Sequence, residues 1–354
     1  MPSIERDVAL APRTTLGLGG AAQWFTTARS DEQLIAALRW AAEHELKVTL
    51  LGGGSNVVVP DAGVQGLVIA LGQRGLQHEV RGSVVRLTAA AGEPWDALVA
   101  FAVERDLAGL ECLSGIPGLC GATPIQNVGA YGQEVSQCIE RVRVLDRASL
   151  EVHELDAQAC GFAYRDSGFK RAPGRLAVLA VTFALRLGAE PLLAYDELRN
   201  ALAGNAAPTL QQVRATVLAL RRAKSMLLEP GDENAQSAGS FFLNPVVSLE
   251  HATRVAQTAR QLGLIAAEQD MPRHAVGTGA GADVVKLAAA WLIERAGFSK
   301  GERRGAVGIS SRHALSLVHH GGGSSTELLA FAEEIRARVR ERFGIELQRE
   351  PVML

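Results

Sequence analysis

The chain has 354 residues, with 36 Lys+Arg against 38 Asp+Glu and a formal charge of −2. At about 100–200 residues per domain this length allows two or three domains, which excludes a small disulfide-stapled module. Near-balanced charge excludes a broad basic face for nucleic acid or anionic membrane, so an anionic ligand must be held by a few placed groups.

Ser30, followed by Asp31, Glu32 and Gln33, has the pattern of a capping box, and Leu34, Leu38 and Ala41 extend a helical stripe to about Leu46. Residues 47–51 are β-prone and stop at Gly52-Gly53-Gly54-Ser55-Asn56, after which residues 57–59 and 67–71 read as strands. This is a strand, glycine turn, strand unit. Residues 84–90 predict another strand, residues 94–105 a helix with Pro94 in its first turn, and residues 141–146 and 176–187 further strands. Thr209 with Gln212 makes a second capping box ahead of Val213, Val217 and Leu220, preceded by an Ala, Gly, Asn and Pro linker that sets a domain boundary near 203–209. Residues 286–296 predict a helix. A long helix follows Ser324-Ser325-Thr326-Glu327, with Leu328, Phe331, Ile335 and Val339 inward and Gly344 as its stop. The alternating Ile345, Leu347 and Arg349 predict a terminal strand.

The chain carries 37 glycines, above the roughly 7% of average proteins, and they cluster. Gly17-Leu18-Gly19-Gly20-Ala21-Ala22 has the letters of a dinucleotide fingerprint, but no strand precedes it and the capped helix begins only after Ser30. Residues 277–281 read as a surface loop. Gly52-Gly53-Gly54-Ser55-Asn56, held between β-prone runs, could present backbone N–H groups to a pyrophosphate, or could be a plain glycine turn. Ser114-Gly115-Ile116-Pro117-Gly118, continuing through Gly121-Ala122-Thr123-Pro124-Ile125-Gln126-Asn127-Val128-Gly129-Ala130-Tyr131-Gly132, is too rich in turn formers for a long helix and too apolar for a solvated linker. It is expected to wrap a neutral, extended ligand.

Cys112, Cys120, Cys138 and Cys160 lack Cys-x-x-Cys spacing and paired histidines, so they read as buried free thiols rather than zinc ligands or a redox pair. His319-His320 lacks a nearby carboxylate to complete a metal site, and His313 reads equally as a pocket or a structural residue. The first residues carry acid where a signal peptide needs a basic region, and no apolar run reaches the ~18 residues of a membrane span. A soluble, cytoplasmic protein is expected, binding neither nucleic acid nor membrane.

The Gly-x-Gly-Ser-Asn turn, the Ile-Pro-Gly run and Pro-Ile-Gln-Asn-Val-Gly-Ala-Tyr-Gly together resemble the flavin-binding half of the UDP-N-acetylenolpyruvoylglucosamine reductase (MurB) family. The resemblance continues in order through Tyr164-Arg165-Asp166-Ser167, Ala238-Gly239-Ser240-Phe241-Phe242 with Asn244-Pro245, the run from Lys286 to Ile293, and a C-terminal Glu350. It implies a mixed α/β (α+β) fold: a vanillyl-alcohol-oxidase (PCMH) type FAD-binding half in two subdomains, residues 1–72 and 73–204, and a C-terminal α+β substrate domain, residues 205–354. It also implies an NADPH-dependent enzyme with non-covalent FAD, reducing UDP-N-acetylglucosamine enolpyruvate to UDP-N-acetylmuramate in cytoplasmic peptidoglycan synthesis and acting as a monomer.

Carried onto matching positions, the resemblance places FAD against Gly52, Gly53, Gly54, Ser55 and Asn56, against Ser114, Gly115, Ile116, Pro117, Gly118, Gly121 and Ala122, and against Gln126, Asn127, Gly129, Ala130 and Tyr131. Arg165 becomes the fixed cation meeting the carboxylate as negative charge gathers there, a task suited to a planar two-armed guanidinium. Ser240 becomes the proton donor to the α-carbon, with Phe241 and Phe242 helping to exclude water. Glu350 becomes a second acid, partly protonated. Glu346 competes for that role, because Gln348-Arg349-Glu350-Pro351-Val352 lacks the arginine that follows in some members. Substrate-binding roles fall to Tyr195 as a lid, Arg221 and Lys224 as phosphate cations, and Asn244. The segment from Ser225 to Asn234 is longer than in some members. Two other readings are another PCMH-type flavoprotein oxidoreductase acting on a sugar or alcohol, and a sugar-nucleotide sensor without turnover.

Overall fold

The computed structural model describes residues 3–205, 207–266, 270–274 and 283–354. The glycine-rich stretch 277–281 lies outside them. The chain divides into two compact units: Met1–Val8, Ala21–Gly54 and Val64–Leu227 form the first, and Ala9–Gly20, Ser55–Gly63 and Leu228–Leu354 the second.

In the first unit, Ala21–Ala28, Val64–Leu71 and Val48–Leu51 pair in parallel, and Glu5–Ala9 borders Ala21–Ala28. Parallel pairing needs a crossover, and the Asp31–Glu43 helix supplies it, with Ser30 Oγ accepting from Gln33 N at its start. Its buried Leu34, Ala37, Leu38 and Ala41 pack with Leu67 and Ile69. The expected capping box is half present, because Gln33 Oε1 accepts from Arg29 N rather than Ser30 N. A second, antiparallel sheet runs Val152–Asp156, Ile139–Asp146, Leu176–Leu187, Val84–Ala90, Leu76–Arg81, with Leu107–Ala108 beside the end of Leu176–Leu187. The Trp95–Glu104 helix packs on it through Trp95, Leu98, Val99 and Ala102, with Pro94 as its N-cap.

The Leu210–Ala223 helix also belongs to the first unit. Val213 and Val217 pack with Leu198 and Cys112, so the break falls at Leu227/Leu228 and not near 205. The linker composition near 203–209 therefore does not mark the boundary, and the capping box that follows works as expected, with Thr209 and Gln212 each holding the other's backbone.

The second unit contains an antiparallel sheet of Ser237–Ser240, Ser316–His319, Val307–Ile309 and Arg303–Arg304, and a smaller one of Val246–Ser248, Val284–Leu287 and Arg273–His274. The Ser325–Phe343 helix starts at a reciprocal Ser324/Glu327 capping box and stops at Gly344 with φ 67°. Leu328, Phe331, Ile335 and Val339 face the core with Phe241, Phe242, Leu292 and Leu317.

Three local expectations are corrected. The strands flanking Gly52–Gly54 do not pair with each other: Val48–Leu51 pairs with Val64–Leu71, and Val57–Val58 pairs in parallel with Val352–Met353. The helix expected over 286–296 is strand Val284–Leu287 followed by helix Ala289–Arg295, because β-branched Val284 and Val285 pair with Val246–Ser248 and Asn244 Oδ1 accepts from Ala289 N at the new helix start. Ile345 and Leu347 are buried as alternation predicts, but Arg349 is exposed and the terminal strand proper is Val352–Met353.

Candidate active site

In the first unit the two glycine segments meet. A Cβ on Gly53 would lie 2.7 Å from Gly118 Cα, so the approach requires glycine. Gly121 N donates to Ala91 O at 2.8 Å, and a Cβ on Gly121 would lie 2.6 Å from Ala91 Cβ. Gly52 faces Ala122. Trp95 N donates to Gly118 O and Cys120 N to Glu93 O, which fixes the segment along the start of the Trp95–Glu104 helix. Two backbones are thus held side by side with little side-chain bulk, a form that suits a dinucleotide.

The rest of the segment is fastened from behind. Ser114 and Asn127 are buried. Ser114 Oγ donates to Glu111 O, and Asn127 Nδ2 donates to Glu134 Oε2 at 2.9 Å and Ala163 O at 2.8 Å. These side chains shape the segment. Gly115 N donates to Asp96 Oδ1 at 2.5 Å, and Arg214 grips both Asp96 oxygens at 2.6 and 2.8 Å. Burial pushes the Asp96 carboxyl up, but the Arg214 and Gly115 hydrogen bonds and the Arg214 and Arg221 charges more than offset it and hold it below the usual range.

Arg165 sits on this segment. It occupies a tight turn closed by reciprocal Ala163 and Asp166 backbone hydrogen bonds, at φ 53°. Its guanidinium donates to Asn127 O at 3.3 Å and to Gly129 O. Lys170 Nζ donates to Arg165 O at 2.9 Å and Gln126 Oε1 at 3.2 Å, tying the turn to the segment a second time.

The expected substrate cations gather beside Tyr131. Its ring meets Tyr195 edge-on at 5.8 Å, and Lys224 Nζ lies 5.7 Å from its centroid and 2.6 Å from Glu197 Oε2. Arg221 donates to Met226 O, while its buried Nε makes no hydrogen bond among the described residues. Burial lowers the Arg221 pKa and raises that of Tyr131 to about 12, so the phenol stays protonated at neutral pH.

In the second unit, Ser240 ends strand Ser237–Ser240 opposite Ser316. Phe241 and Phe242 stack edge-on at 5.4 Å and are fully buried. They anchor Ser240 to the core. Glu350 N donates to Phe241 O at 3.0 Å and Leu243 N to Gln348 O at 2.9 Å, so the chain end runs beside Ser240. Val352 N donates to Asn56 O at 3.0 Å, which joins the chain end to the residues after the glycine turn. Glu346 instead pairs with Arg336 and, at 3.6 Å, Arg340.

The C-terminal residues 230–354 match the family model described as UDP-N-acetylenolpyruvoylglucosamine reductase, C-terminal domain, and residues 22–156 match the FAD binding domain family. The UDP-N-acetylenolpyruvoylglucosamine reductase of Thermobifida fusca (strain YX) is 46% identical over 357 residues, covering 99% of this chain and 98% of that protein. This chain belongs to the UDP-N-acetylenolpyruvoylglucosamine reductase family. The Streptomyces coelicolor reductase is 45% identical, covering 98% of this chain and 89% of its own. The crystal structure of the Thermus caldophilus reductase superposes with a TM-score of 0.66 at 26% identity over 100% of both chains. The mixed α/β fold, with a flavin-binding half and a C-terminal half, is the fold of this reductase family.

For a member of this reductase family, several supporting residues escape motif reading. Buried Glu111 accepts from Gly109 N and from Leu192 N at 2.9 Å, which anchors the start of the Tyr195 segment. Asp96, Arg214, Glu197 and Lys170 act through partners distant in sequence, so no local pattern announces them. Other residues prove structural. The four cysteines are free and buried, with burial pushing their thiols up, Cys160 to about 11. His319 bonds through Nδ1 to Leu16 O at 3.2 Å and accepts from Gly323 N at Nε2, and no metal-ligating cluster occurs among the described residues. Gly19 packs against Val59, where a Cβ would lie 2.6 Å from the Val59 carbonyl oxygen, so that glycine serves packing. No described helix is long and apolar enough to cross a membrane.

Proposed function

We propose that this chain uses NADPH and non-covalently bound FAD to reduce UDP-N-acetylglucosamine enolpyruvate to UDP-N-acetylmuramate in peptidoglycan synthesis. Support comes from family membership over the whole chain. The observation that carries the chemistry is Arg165, fastened to the carbonyls of Asn127 and Gly129 within the glycine segment. A permanent cation is thereby fixed beside backbone suited to the flavin.

When bound, FAD supplies the two-electron carrier between NADPH and the enolpyruvyl ether. The net change adds a hydride to the β-carbon and a proton to the α-carbon of an α,β-unsaturated carboxylate. Arg165 binds the carboxylate and stabilises the charge that accumulates there. Ser240 holds the proton for the α-carbon, its backbone fixed by buried Phe241. Glu350 assists as the second acid, a reading supported by its backbone link to Phe241, the residue after Ser240.

Arg221 and Lys224 supply charge for the diphosphate, and Tyr195 covers it. Asn244 belongs to the reading through its Nδ2, since its Oδ1 caps the Ala289–Arg295 helix. A uridine diphosphate sugar and NADPH are cytoplasmic metabolites, which supports a cytoplasmic enzyme; its reading as a monomer rests on the family resemblance alone.

The test is anaerobic. Purified protein should show flavin absorbance that NADPH bleaches and UDP-N-acetylglucosamine enolpyruvate restores. Protein that binds no flavin, or reduced protein that this substrate fails to reoxidise, overturns the reading.

A further inference from the structure

Glu197 meets one of the cations assigned to the diphosphate. Its Oε2 lies 2.6 Å from Lys224 Nζ, and the same ammonium lies 5.7 Å from the Tyr131 ring centroid. Both partners sit on well-held elements. Lys224 is the C-cap of the Leu210–Ala223 helix, and Glu197 stands in the first turn of the short Asp196–Ala201 helix, whose N-cap is Tyr195. Buried Leu198, next to Glu197, packs with Val213 and Val217 of the longer helix, and Tyr131 lies against the same cluster. Ahead of Tyr195, Ala194 is so close to Gly132 that a Cβ on the glycine would lie 2.9 Å from Ala194 Cβ. Leu192 is held at both backbone groups, its N–H donating to Glu111 Oε1 and its carbonyl accepting from Cys112 Sγ.

This framework does not depend on the ion pair. At 34% and 37% exposure, Lys224 and Glu197 are wet enough for their attraction to add little to stability, and Leu198 supplies the apolar contact that seats the short helix. The effect of Glu197 falls on ligands instead. A diphosphate that takes Lys224 must draw the ammonium from Glu197 or share it, since an ammonium has three donors. In either case a carboxylate two residues from Tyr195 faces a ligand of its own sign, and like charges a few ångströms apart at a partly solvated surface oppose binding.

We propose that Glu197 is an affinity-setting residue for the anionic ligand: its carboxylate holds Lys224 beside Tyr131 and opposes the diphosphate that Lys224 attracts, so that a nucleotide binds more weakly than the cations alone would allow. A ligand taken up at each turnover must also leave, and Glu197 reclaims Lys224 as it does. This inference rests on the reading of Lys224 as a phosphate cation.

The test is calorimetric titration of the FAD-loaded enzyme with UDP, and with uridine as competitor, for wild type, Glu197→Gln and Lys224→Ala. Glutamine keeps the length and an acceptor for Nζ and removes only the charge. Glu197→Gln should bind UDP about 5- to 20-fold more tightly, with uridine affinity unchanged because uridine carries no phosphate. Lys224→Ala should bind UDP about 10-fold more weakly. If Glu197→Gln does not fold, Glu197→Ala replaces it, with a gain in the same direction expected. UDP affinity that is unchanged or weaker in the folded Glu197 variant, or that shifts equally for uridine, overturns the role of Glu197 alone when Lys224→Ala has lost affinity. Wild-type UDP affinity in Lys224→Ala overturns the reading beneath it.

Discussion

The backbone N–H of Glu350 donates to the carbonyl of Phe241 at 3.0 Å, so the residue after Ser240 and a C-terminal glutamate are locked in register. Glu346, four residues earlier, is paired with Arg336 and Arg340. Glu350→Gln should therefore slow reoxidation of the reduced enzyme by substrate by about 10²-fold or more. Glu346→Gln should keep wild-type turnover and cost at most about 1 kcal/mol of stability, as befits a partly exposed ion pair. Rapid-reaction kinetics of both variants decide the matter, and the reverse pattern would reassign the acid.

Ser240 is held at both neighbours, by Gly239 N donating to Ser237 Oγ and by Phe241 N donating to Leu315 O at 2.7 Å. Removing its hydroxyl should leave that scaffold intact. Ser240→Ala is expected to be reduced by NADPH at close to the wild-type rate and to be reoxidised by substrate about 10²- to 10⁴-fold more slowly. Equal loss in the two half-reactions would mean that the serine serves the fold and not the proton.

Legibility in the sequence followed the range of the interactions. The Thr209/Gln212 and Ser324/Glu327 capping boxes are complete within four residues, and both form as the pattern predicts. The helix expected over 286–296 lost its first turn to strand pairing with Val246–Ser248, a partner that local periodicity cannot see. The motif residues of the site are contiguous and readable. Their supports are not: Asp96 and Arg214 are brought together from 118 positions apart. Glu346 and Glu350 look alike as letters and differ only in their partners.

Arg165 reaches two carbonyls, Asn127 O and Gly129 O, from one planar guanidinium. A lysine has one ammonium and cannot span both while also facing a carboxylate. Arg165→Lys should lower kcat/KM for the enolpyruvyl substrate by about 10²-fold or more, with flavin content unchanged. Steady-state kinetics that matched wild type would remove Arg165 from the chemistry.

Gly53 allows its backbone to lie against Gly118, and a Cβ would come within 2.7 Å of Gly118 Cα. Since both partners are backbone, relief requires the segments to part. Gly53→Val should purify with markedly less FAD per chain than wild type, read from the ratio of flavin to protein absorbance. A full complement of FAD in this variant would exclude the Gly53–Gly118 approach from the flavin site.

Asp96 joins the Gly115 N–H to the Arg214 guanidinium, and its folded pKa lies below the ordinary 3.8. A depressed carboxyl pKa contributes stability that is fully present above the unfolded value and is lost as pH falls through the folded one. Asp96→Asn should thus be less stable than wild type by about 1 kcal/mol at pH 7, allowing for solvent screening of a partly exposed pair. The gap in urea midpoint should hold down to about pH 5 and close progressively below about pH 4, as wild type itself protonates. A gap that stayed constant or widened on acidification would show that Asp96 stabilises the Gly115 turn by packing and not by charge.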